Sequence, residues 1–198
     1  MKEIAKEFKA IFDPFYQAPI EVWEYFVQHG EVVEKQKNDI LKRYNERADV
    51  FYFILKGSGG ILLFSNNNYI CIDLCYEGDL LVDYMSFLTN QPTEIEVICF
   101  EKCRLFSISR EKFFELSQTN YGRIICQTAA ENLFIQKQMQ QIEILTKTAK
   151  QRYSEMLEKQ PHILQRTPNK HIASYLGITP ESLSRIRNRI FKKTKVLT

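Results

Sequence analysis

Hydrophobic positions change their spacing along this chain, and each stretch predicts a different structure. Up to residue 28, apolar and charged residues alternate at helical spacing, with breaks at Pro14 and Pro19. Short β-branched and aromatic runs then occupy residues 50–57, 59–64, 69–76, 94–100 and 103–109. Turn-forming Asn, Gly and Pro residues separate these runs. We therefore expect an antiparallel β-roll, closed by a short helix over residues 110–117.

Residues 121–147 predict one long helix, because no glycine or proline follows Gly122 in this stretch. Residues that suit a helix interface recur at alternating spacings of three and four, which is typical of two helices packed side by side. This predicted dimer seam consists of Ile125, Thr128, Asn132, Ile135, Met139, Ile142 and Thr146. Leu133, Ile144 and Leu145 lie off the seam, where they would face the roll. The alternative is a long helix that packs only on its own domain.

Residues 167–190 predict a helix-turn-helix, preceded by a hinge near residues 147–149 and a helix over 150–159. Thr167-Pro168 and Thr179-Pro180 each combine an N-cap residue with a proline at the first helical position. Gly177 suits the turn between the two helices, because glycine tolerates a left-handed backbone.

The second helix of this motif is expected to bury Leu183 and Ile186 and to point Glu181, Ser182, Ser184 and Arg185 outward. In a DNA major groove, arginine can pair with guanine and glutamate can accept from cytosine. The alternative is an ordinary helical hairpin with a solvated charged face.

Charge is distributed unevenly. The whole chain is +3, but residues 146–198 hold 12 Lys or Arg against three acids, a net +9, which leaves −6 on residues 1–145. A basic segment on an acidic body predicts binding to a polyanion, and we expect double-stranded DNA. The basic residues do not lie opposite a broad apolar face, so a membrane surface is not the expected partner. For Lys192, Lys193 and Lys195 alone, a solvated basic tail is the alternative.

The remaining composition excludes several functions. The charged first residues are unlike a signal peptide and no apolar run is long enough to span a membrane, so we expect a cytoplasmic protein. The five cysteines (71, 75, 99, 103 and 126) form no CxxC motif, and the three histidines are scattered, so we expect buried reduced thiols and no metal; a redox switch or metal site is the alternative. We find no hydrolase triad, P-loop or HExxH motif and expect no enzyme.

The order of N-terminal helix, β-roll, long helix, hinge and basic helix-turn-helix resembles the Crp/Fnr family of bacterial transcription regulators. LKG at 55–57 and EGD at 77–79 are similar to glycine turns of its cyclic-nucleotide-binding fold. The resemblance implies an α+β fold with a double-stranded β-helix roll over 1–120, a dimerisation helix over 121–147 and a DNA-binding domain over 148–198. It implies a homodimeric regulator that binds specific DNA sequences, and RNA polymerase as a further partner.

The same resemblance implies roles for individual residues. Glu181 and Arg185 would read bases, and Ser182 and Ser184 would touch bases or phosphate. The candidate phosphate contacts are Thr179, Lys170, Arg187, Arg189 and Lys192. The β-hairpin wing that commonly follows the second helix is expected to be mostly absent.

The sequence departs from the family where cyclic-nucleotide-binding members hold the ligand. Asp83 stands roughly where a glutamate binds the ribose, but Thr93 and Glu94 stand where an Arg-Ser pair binds the cyclic phosphate. No Arg or Lys occurs between Lys56 and Lys102, so a buried phosphate would lack a counter-charge, and Glu94 would repel it. We therefore do not expect cyclic AMP to bind. No cysteine precedes Cys71, so an iron–sulfur cluster is not expected either.

Another effector remains an alternative for the roll, with Asp83, Tyr84, Ser86 and Thr93 as its candidate polar contacts. The competing hypothesis for the whole chain is a small-molecule sensor whose DNA binding is weak or lost.

Overall fold

The computed structural model describes residues 1–159, 161 and 163–194, which form an α+β fold. The strands are β1 (Glu31–Lys35), β2 (Ile40–Lys42), β3 (Val50–Lys56), β4 (Gly59–Ser65), β5 (Asn68–Cys75), β6 (Ile95–Cys99) and β7 (Cys103–Ser109). The helices are α1 (Lys2–Phe12), α2 (Ile20–Gln28), α3 (Tyr84–Thr89), α4 (Arg110–Ser117), α5 (Asn120–Thr146), α6 (Ala149–Lys159), α7 (Ile163–Arg166), α8 (Asn169–Tyr175) and α9 (Pro180–Thr194).

The strands form a roll of two antiparallel sheets, in the orders β1-β7-β3 and β2-β6-β4-β5. Phe53 pairs with Phe106 between β3 and β7, and Gly60 pairs with Ile98 between β4 and β6. Apolar side chains from both sheets, including Ile54, Leu105 and Val97, form the roll interior. The predicted antiparallel roll and its closing helix α4 are confirmed; β1, β2 and α3 are short elements that the hydrophobic pattern did not resolve.

The turn between β3 and β4 depends on glycine. Gly57 has φ +117°, and a Cβ built there would lie 2.6 Å from Cys103 Sγ. Both the left-handed backbone and the close approach of β7 therefore exclude a side chain. This is the LKG segment noted in the sequence.

An aromatic core joins the N-terminal helices to the first sheet. The Phe8 ring on α1 lies 4.4 Å from Phe53 on β3 and 5.2 Å from Phe106 on β7, centroid to centroid. Trp23 on α2 stacks on Phe8 at 6.0 Å. Such ring pairs add to the stabilisation from buried apolar area, so α1 and α2 are fixed on the roll.

A break in the backbone separates the long helix α5 from the C-terminal domain. Lys147 is extended (φ −113°, ψ 141°), and α6 begins two residues later at Ala149. The Lys147 ammonium bridges Glu143 at 3.0 Å and Glu155 at 2.6 Å, so it links the two helices across the break. This break lies at the predicted hinge.

The C-terminal domain has its own core. Tyr153 on α6 is fully buried against α8 and α9, with Ile172, Leu176 and Leu183 around it. Met156 and Leu157 pack on the same cluster, as the helical spacing over residues 150–159 predicted.

Candidate nucleic-acid interface and sensor pocket

The turn between α8 and α9 is a glycine-dependent helix stop. The Ile178 N–H donates to the Ala173 carbonyl at 3.0 Å and the Gly177 N–H donates to the Ser174 carbonyl at 2.9 Å, the two bonds of a Schellman motif. Gly177 has φ +70°, and a Cβ there would meet no atom within 4 Å. The glycine is required by the backbone conformation and not by crowding.

The second helix, α9, begins as the sequence predicted. Its first residue is Pro180, and the Ser182 N–H donates to the Thr179 hydroxyl at 3.2 Å. The capping interpretation of Thr167 is wrong: α8 begins at Asn169 after Pro168, with no side-chain cap. The Thr167 hydroxyl is buried and bonds to the Tyr76 hydroxyl on the roll, because a tertiary partner displaces the local one.

Helix α9 is divided into a buried face and an open face. Leu183 is buried and Ile186 packs on the same core, whereas Glu181, Ser184 and Arg185 are exposed and Ser182 is half-buried. Hydrogen bonds from its own backbone amide and from the Thr179 hydroxyl lower the pKa of Glu181. Glu181 is therefore an ionised acceptor at neutral pH, beside an exposed guanidinium.

The candidate phosphate-binding residues differ in their surroundings. Lys170 and Arg189 are exposed, and Thr179 is exposed while its hydroxyl serves the α9 cap. Arg187 is half-buried, and its Nε donates to the Tyr153 hydroxyl at 2.8 Å, so it is anchored to the domain core. The side chain of Lys192 lies outside the part of the chain that the structure describes.

Helix α5 carries an unpartnered apolar face. It spans 27 residues, all of them described, and none of them is buried. On the predicted seam, Ile135, Met139 and Ile142 are 55%, 60% and 56% exposed. The other three seam residues of the site prediction, Ile125, Thr128 and Asn132, are half-buried, and Ile125 also packs on the aromatic core.

The expectation that the off-seam residues of α5 face the roll is correct for one of three. Leu133 lines cavities between α5 and the rest of the N-terminal domain. Ile144 and Leu145 are 52% and 76% exposed, so they do not pack on the roll. The exposed apolar surface is thus wider than the seam.

A cavity of about 510 Å³, here called the roll cavity, lies between the roll and α5. Asp73, Asp79, Asp83, Tyr84 and Lys137 are among its lining residues, and Lys137 is paired with Asp73. The cavity therefore presents more acid than base. Glu94, which the sequence interpretation placed against a ligand, is instead exposed.

Asp83, the candidate ribose contact, is buried, and its carboxylate is already bound by other residues of the chain. Lys42 Nζ lies 2.9 Å from Asp83 Oδ2, and the two side chains are 6% and 0% exposed. The same ammonium donates to Thr93 Oγ1 at 2.8 Å and to the Ile95 carbonyl at 2.6 Å, while the Thr93 hydroxyl donates to Asp83. Sequence reasoning missed Lys42, because β2 is short and lies far from Asp83 and Thr93 in the sequence.

The remaining pocket candidates also have internal partners. The Ser86 hydroxyl is fully buried, donates to the Gln91 carbonyl at 2.6 Å and accepts from the Ala48 N–H at 2.9 Å. The Ser86 N–H donates to Asp83, which caps α3. Asp83, Ser86 and Thr93 therefore form a structural network. Tyr84 lines the roll cavity and is not part of this network.

The Lys42–Asp83 pair gives a testable stability effect. Lys42→Met leaves the Asp83 carboxylate buried without its counter-charge, so we expect the free energy of unfolding to fall by about 3–5 kcal/mol. The Lys42→Met/Asp83→Asn double variant removes both charges and should recover part of that loss. Urea unfolding of the three proteins measures both effects; a single-variant loss below about 1 kcal/mol would show that the pair does not hold this region.

The helix-turn-helix domain is docked on the roll of its own chain. Arg166 pairs with Glu77 at 2.7 Å and with Glu101 at 2.7 Å, and the Cys71 N–H on β5 donates to the Ser174 hydroxyl on α8 at 2.8 Å. Burial alone would raise the pKa of Glu77, but hydrogen bonds from Arg166 and from the Gly57 N–H lower this pKa to about 2. The ion pair therefore persists throughout the neutral and mildly acidic range.

His171 makes this docking sensitive to acid. Its ring stacks on Phe100 at 4.5 Å, and burial, followed by the Lys170 charge, lowers the pKa of His171 from 6.5 to about 4. Below pH 6.5 the unfolded chain binds a proton that the folded chain excludes, so stability falls as the pH drops from 6.5 to about 4. Melting temperatures across this range should fall more for the wild type than for His171→Phe; equal losses would contradict this account.

The cysteines are free thiols. Cys71, Cys75, Cys99 and Cys103 are buried, Cys126 is half-buried, and burial raises the pKa of Cys71 to about 12. Within the described ranges, no group of three or more His, Cys, Asp or Glu side chains is arranged to hold a metal ion. Nor does any helix there have the length and apolarity needed to cross a membrane.

Comparison with known proteins agrees with this architecture. Residues 32–120 match the family model of the cyclic nucleotide-binding domain. The fold is similar to FixK2 from Bradyrhizobium japonicum (TM-score 0.70, 15% identity, 83% of this chain and 86% of that one). It is also similar to the c-di-GMP-responsive global regulator CLP from Xanthomonas campestris (0.65, 15%, 89% and 93%).

A third similar structure is the catabolite activator protein of Thermus thermophilus (TM-score 0.55, 15% identity, 93% of this chain and 87% of that one). At these identities the likeness establishes the shared fold. No curated protein sequence matches the chain significantly.

Proposed function

We propose that this protein is a homodimeric transcription regulator of the Crp/Fnr type that binds specific sequences of double-stranded DNA through α9. The observation that carries the proposal is the open face of α9, where Glu181, Ser184 and Arg185 are exposed on a helix anchored by Leu183. The solved structures named above, whose folds this chain shares, include a global regulator and a catabolite activator.

The polarity of α9 supports base reading by Glu181 and Arg185. An ionised carboxylate accepts from the amino group of cytosine, and a guanidinium can donate to both guanine acceptors in the major groove. Ser182 and Ser184 lie between these residues in the sequence, and the Thr179 hydroxyl at the start of α9 donates to the Ser182 hydroxyl. The N-terminal turn of α9 is therefore the part that enters the groove.

The exposed cations around this face are the expected phosphate-binding residues. Lys170 and Arg189 are free to reach the DNA backbone, and Thr179 lies at the α9 N-terminus, where backbone N–H groups attract anions. Arg187 remains a candidate, but its bond to Tyr153 favours a role in orienting α9. These cations would give the binding its salt dependence.

Dimerisation is supported by α5. Ile135, Met139 and Ile142 form an exposed apolar stripe on a helix whose other side carries Cys126, Ala129 and Leu133 against the N-terminal domain. A stripe of this kind is costly in water and is buried when two helices pair. Pairing would place two copies of α9 on one duplex and double the sequence that is read.

The roll cavity is the proposed place of an effector other than cyclic AMP. Asp79 in its lining disfavours a cyclic phosphate, and the ammonium groups of Lys42 and Lys137 are already paired with Asp83 and Asp73. A second function, a small-molecule sensor with weak DNA binding, is favoured only by the size of this cavity. A thermal-shift screen separates the two, since a ligand at 100 times its dissociation constant adds about 2.7 kcal/mol of stability.

The experiment that tests the proposed function is selection of bound duplexes from a random pool at two salt concentrations. We expect enrichment of an inverted repeat with half-site centres about one DNA turn apart. We also expect fewer retained sequences at higher salt, because phosphate contacts are screened. A pool without an enriched motif at either concentration would contradict sequence-specific binding.

A further inference from the structure

The open face of α9 continues beyond the residues already assigned to base reading. Asn188 is exposed and comes seven residues after Glu181 and three residues after Arg185. Spacings of three, four and seven bring residues onto one face of an α-helix. Asn188 therefore extends the line formed by Glu181, Ser184 and Arg185 by one further turn of the helix.

The turn of α9 that carries Asn188 is fixed to the core of the C-terminal domain. Ile186 and Ile190 pack on the cluster around Tyr153. Between them in the sequence, Arg187 Nε donates to the Tyr153 hydroxyl at 2.8 Å. Helical periodicity places these isoleucines on the side opposite Asn188. The core therefore holds this turn from behind and sets the position from which Asn188 points outward.

The side-chain amide of Asn188 has no partner within the protein among the residues that the structure describes. Asparagine is also a weak helix former, because its side chain competes with the helical backbone for hydrogen bonds. It carries no charge, so it adds nothing to the general attraction between a basic helix and phosphates. Asn188 thus supports neither the stability of α9 nor non-specific binding, and its amide is available to a base edge.

We infer that Asn188 is a third base-reading residue and that it recognises adenine. The inference rests on the proposed function, which places α9 in the major groove. An asparagine amide donates to adenine N7 and accepts from the N6 amino group, a pattern that the other bases do not present there. Helices in the major groove are known to contact bases from positions i, i+3, i+4 and i+7, the spacing found here.

Helix geometry predicts the order in which the bases are read. Each residue advances α9 by about 1.5 Å, and each base pair advances the duplex by about 3.4 Å. Asn188 is therefore about 4.5 Å beyond Arg185 and about 10.5 Å beyond Glu181 along the helix axis. We expect the adenine about one base pair from the guanine read by Arg185 and about three base pairs from the cytosine read by Glu181, in the same direction from both.

The test measures the affinity of the full-length protein for its selected inverted repeat by fluorescence anisotropy. In a second duplex, 7-deazaadenine replaces the predicted adenine, so the base pair is kept and the N7 acceptor is lost. We expect the wild type to bind this duplex about fivefold more weakly for each substituted half-site, because an amide N–H loses its acceptor. Asn188→Ala should bind the natural duplex about tenfold more weakly for each half-site and lose nothing further with 7-deazaadenine.

Arg189→Ala is the matched comparison, because Arg189 is the next exposed residue of α9 and a candidate phosphate contact. It should weaken binding to natural and scrambled duplexes alike and keep the fivefold effect of 7-deazaadenine. Asn188→Ala should bind the scrambled duplex within about twofold of the wild type, since it removes no charge. That measurement also identifies a variant that fails to fold.

The inference is overturned if the selected half-site has no adenine within two base pairs of the guanine whose preference Arg185→Ala relaxes. It is also overturned if 7-deazaadenine weakens Asn188→Ala as much as the wild type, because another residue would then read the adenine. A selection that enriches no motif at all gives a different result: it contradicts the proposed function and the role of Asn188 with it.

Discussion

Met139→Glu is expected to make the protein monomeric and to weaken its binding to an inverted-repeat duplex by at least about 100-fold. Met139 is 60% exposed in the single chain, so a glutamate there is solvated and leaves the protomer fold intact. In a paired α5 the same carboxylate would be buried against its symmetry mate, where two like charges are strongly unfavourable. Sedimentation velocity measures the mass, and fluorescence anisotropy measures the affinity.

The matched control for this variant is Gln141→Glu. Gln141 is exposed on the same helix but lies off the predicted seam. The substitution therefore adds an equal negative charge to α5 at a position outside the predicted interface. It should remain dimeric and bind DNA within about twofold of the wild type. If Met139→Glu also remained dimeric, the seam would not be the dimer interface.

Arg185→Ala should remove roughly 1–3 kcal/mol of discrimination at one base position in each half-site. Arg185 is exposed on the open face of α9, where its guanidinium is available to a base edge. The loss should appear as relaxed preference at that position, while the preferences at other positions persist. Binding to a library of single-base variants of the selected site measures the effect.

Arg189→Ala serves as the comparison, since it removes the same charge from an exposed position further along α9. Its expected effect is a uniform loss of affinity and a reduction of the salt slope by about one, as for a phosphate contact. If the two variants behaved alike across the library, Arg185 would not be reading a base.

Local signals in the sequence were sufficient for much of the fold. The runs at 50–57 and 103–109 became β3 and β7, because β-branched and aromatic residues suit strands that pack in a sheet. The long helix followed from the absence of helix breakers. The start of α9 followed from the N-cap residue Thr179 and the proline after it. These elements depend on neighbouring residues, so a sequence pattern can reveal them.

Features that depend on distant residues were not predictable in this way. Lys42 reaches Asp83 from a strand of only three residues, and Thr167 bonds to Tyr76 instead of capping the helix beside it. His171 stacks on Phe100 because the C-terminal domain docks on the roll. Each contact depends on how separate elements pack, and hydrophobic periodicity contains no information about that arrangement.

Among the candidate DNA contacts, some features also follow from neighbouring residues and others depend on distant ones. The exposure of Glu181, Ser184 and Arg185 follows from helical periodicity with Leu183 inward, and the structure agrees with that geometry. The anchoring of Arg187 to Tyr153 does not follow from it, because Tyr153 belongs to another helix. The roles of these residues on DNA remain predictions for the experiments above.

Fluorescence-detected sedimentation of the protein with a labelled duplex tests the central claim most directly. The duplex carries the selected inverted repeat, and a scrambled duplex of the same composition is the reference. We predict a complex of two chains per duplex on the inverted repeat at physiological salt, and at least 1,000-fold weaker binding to the scrambled duplex. One chain per duplex, or equal binding to both duplexes, would contradict a paired reader of DNA sequence.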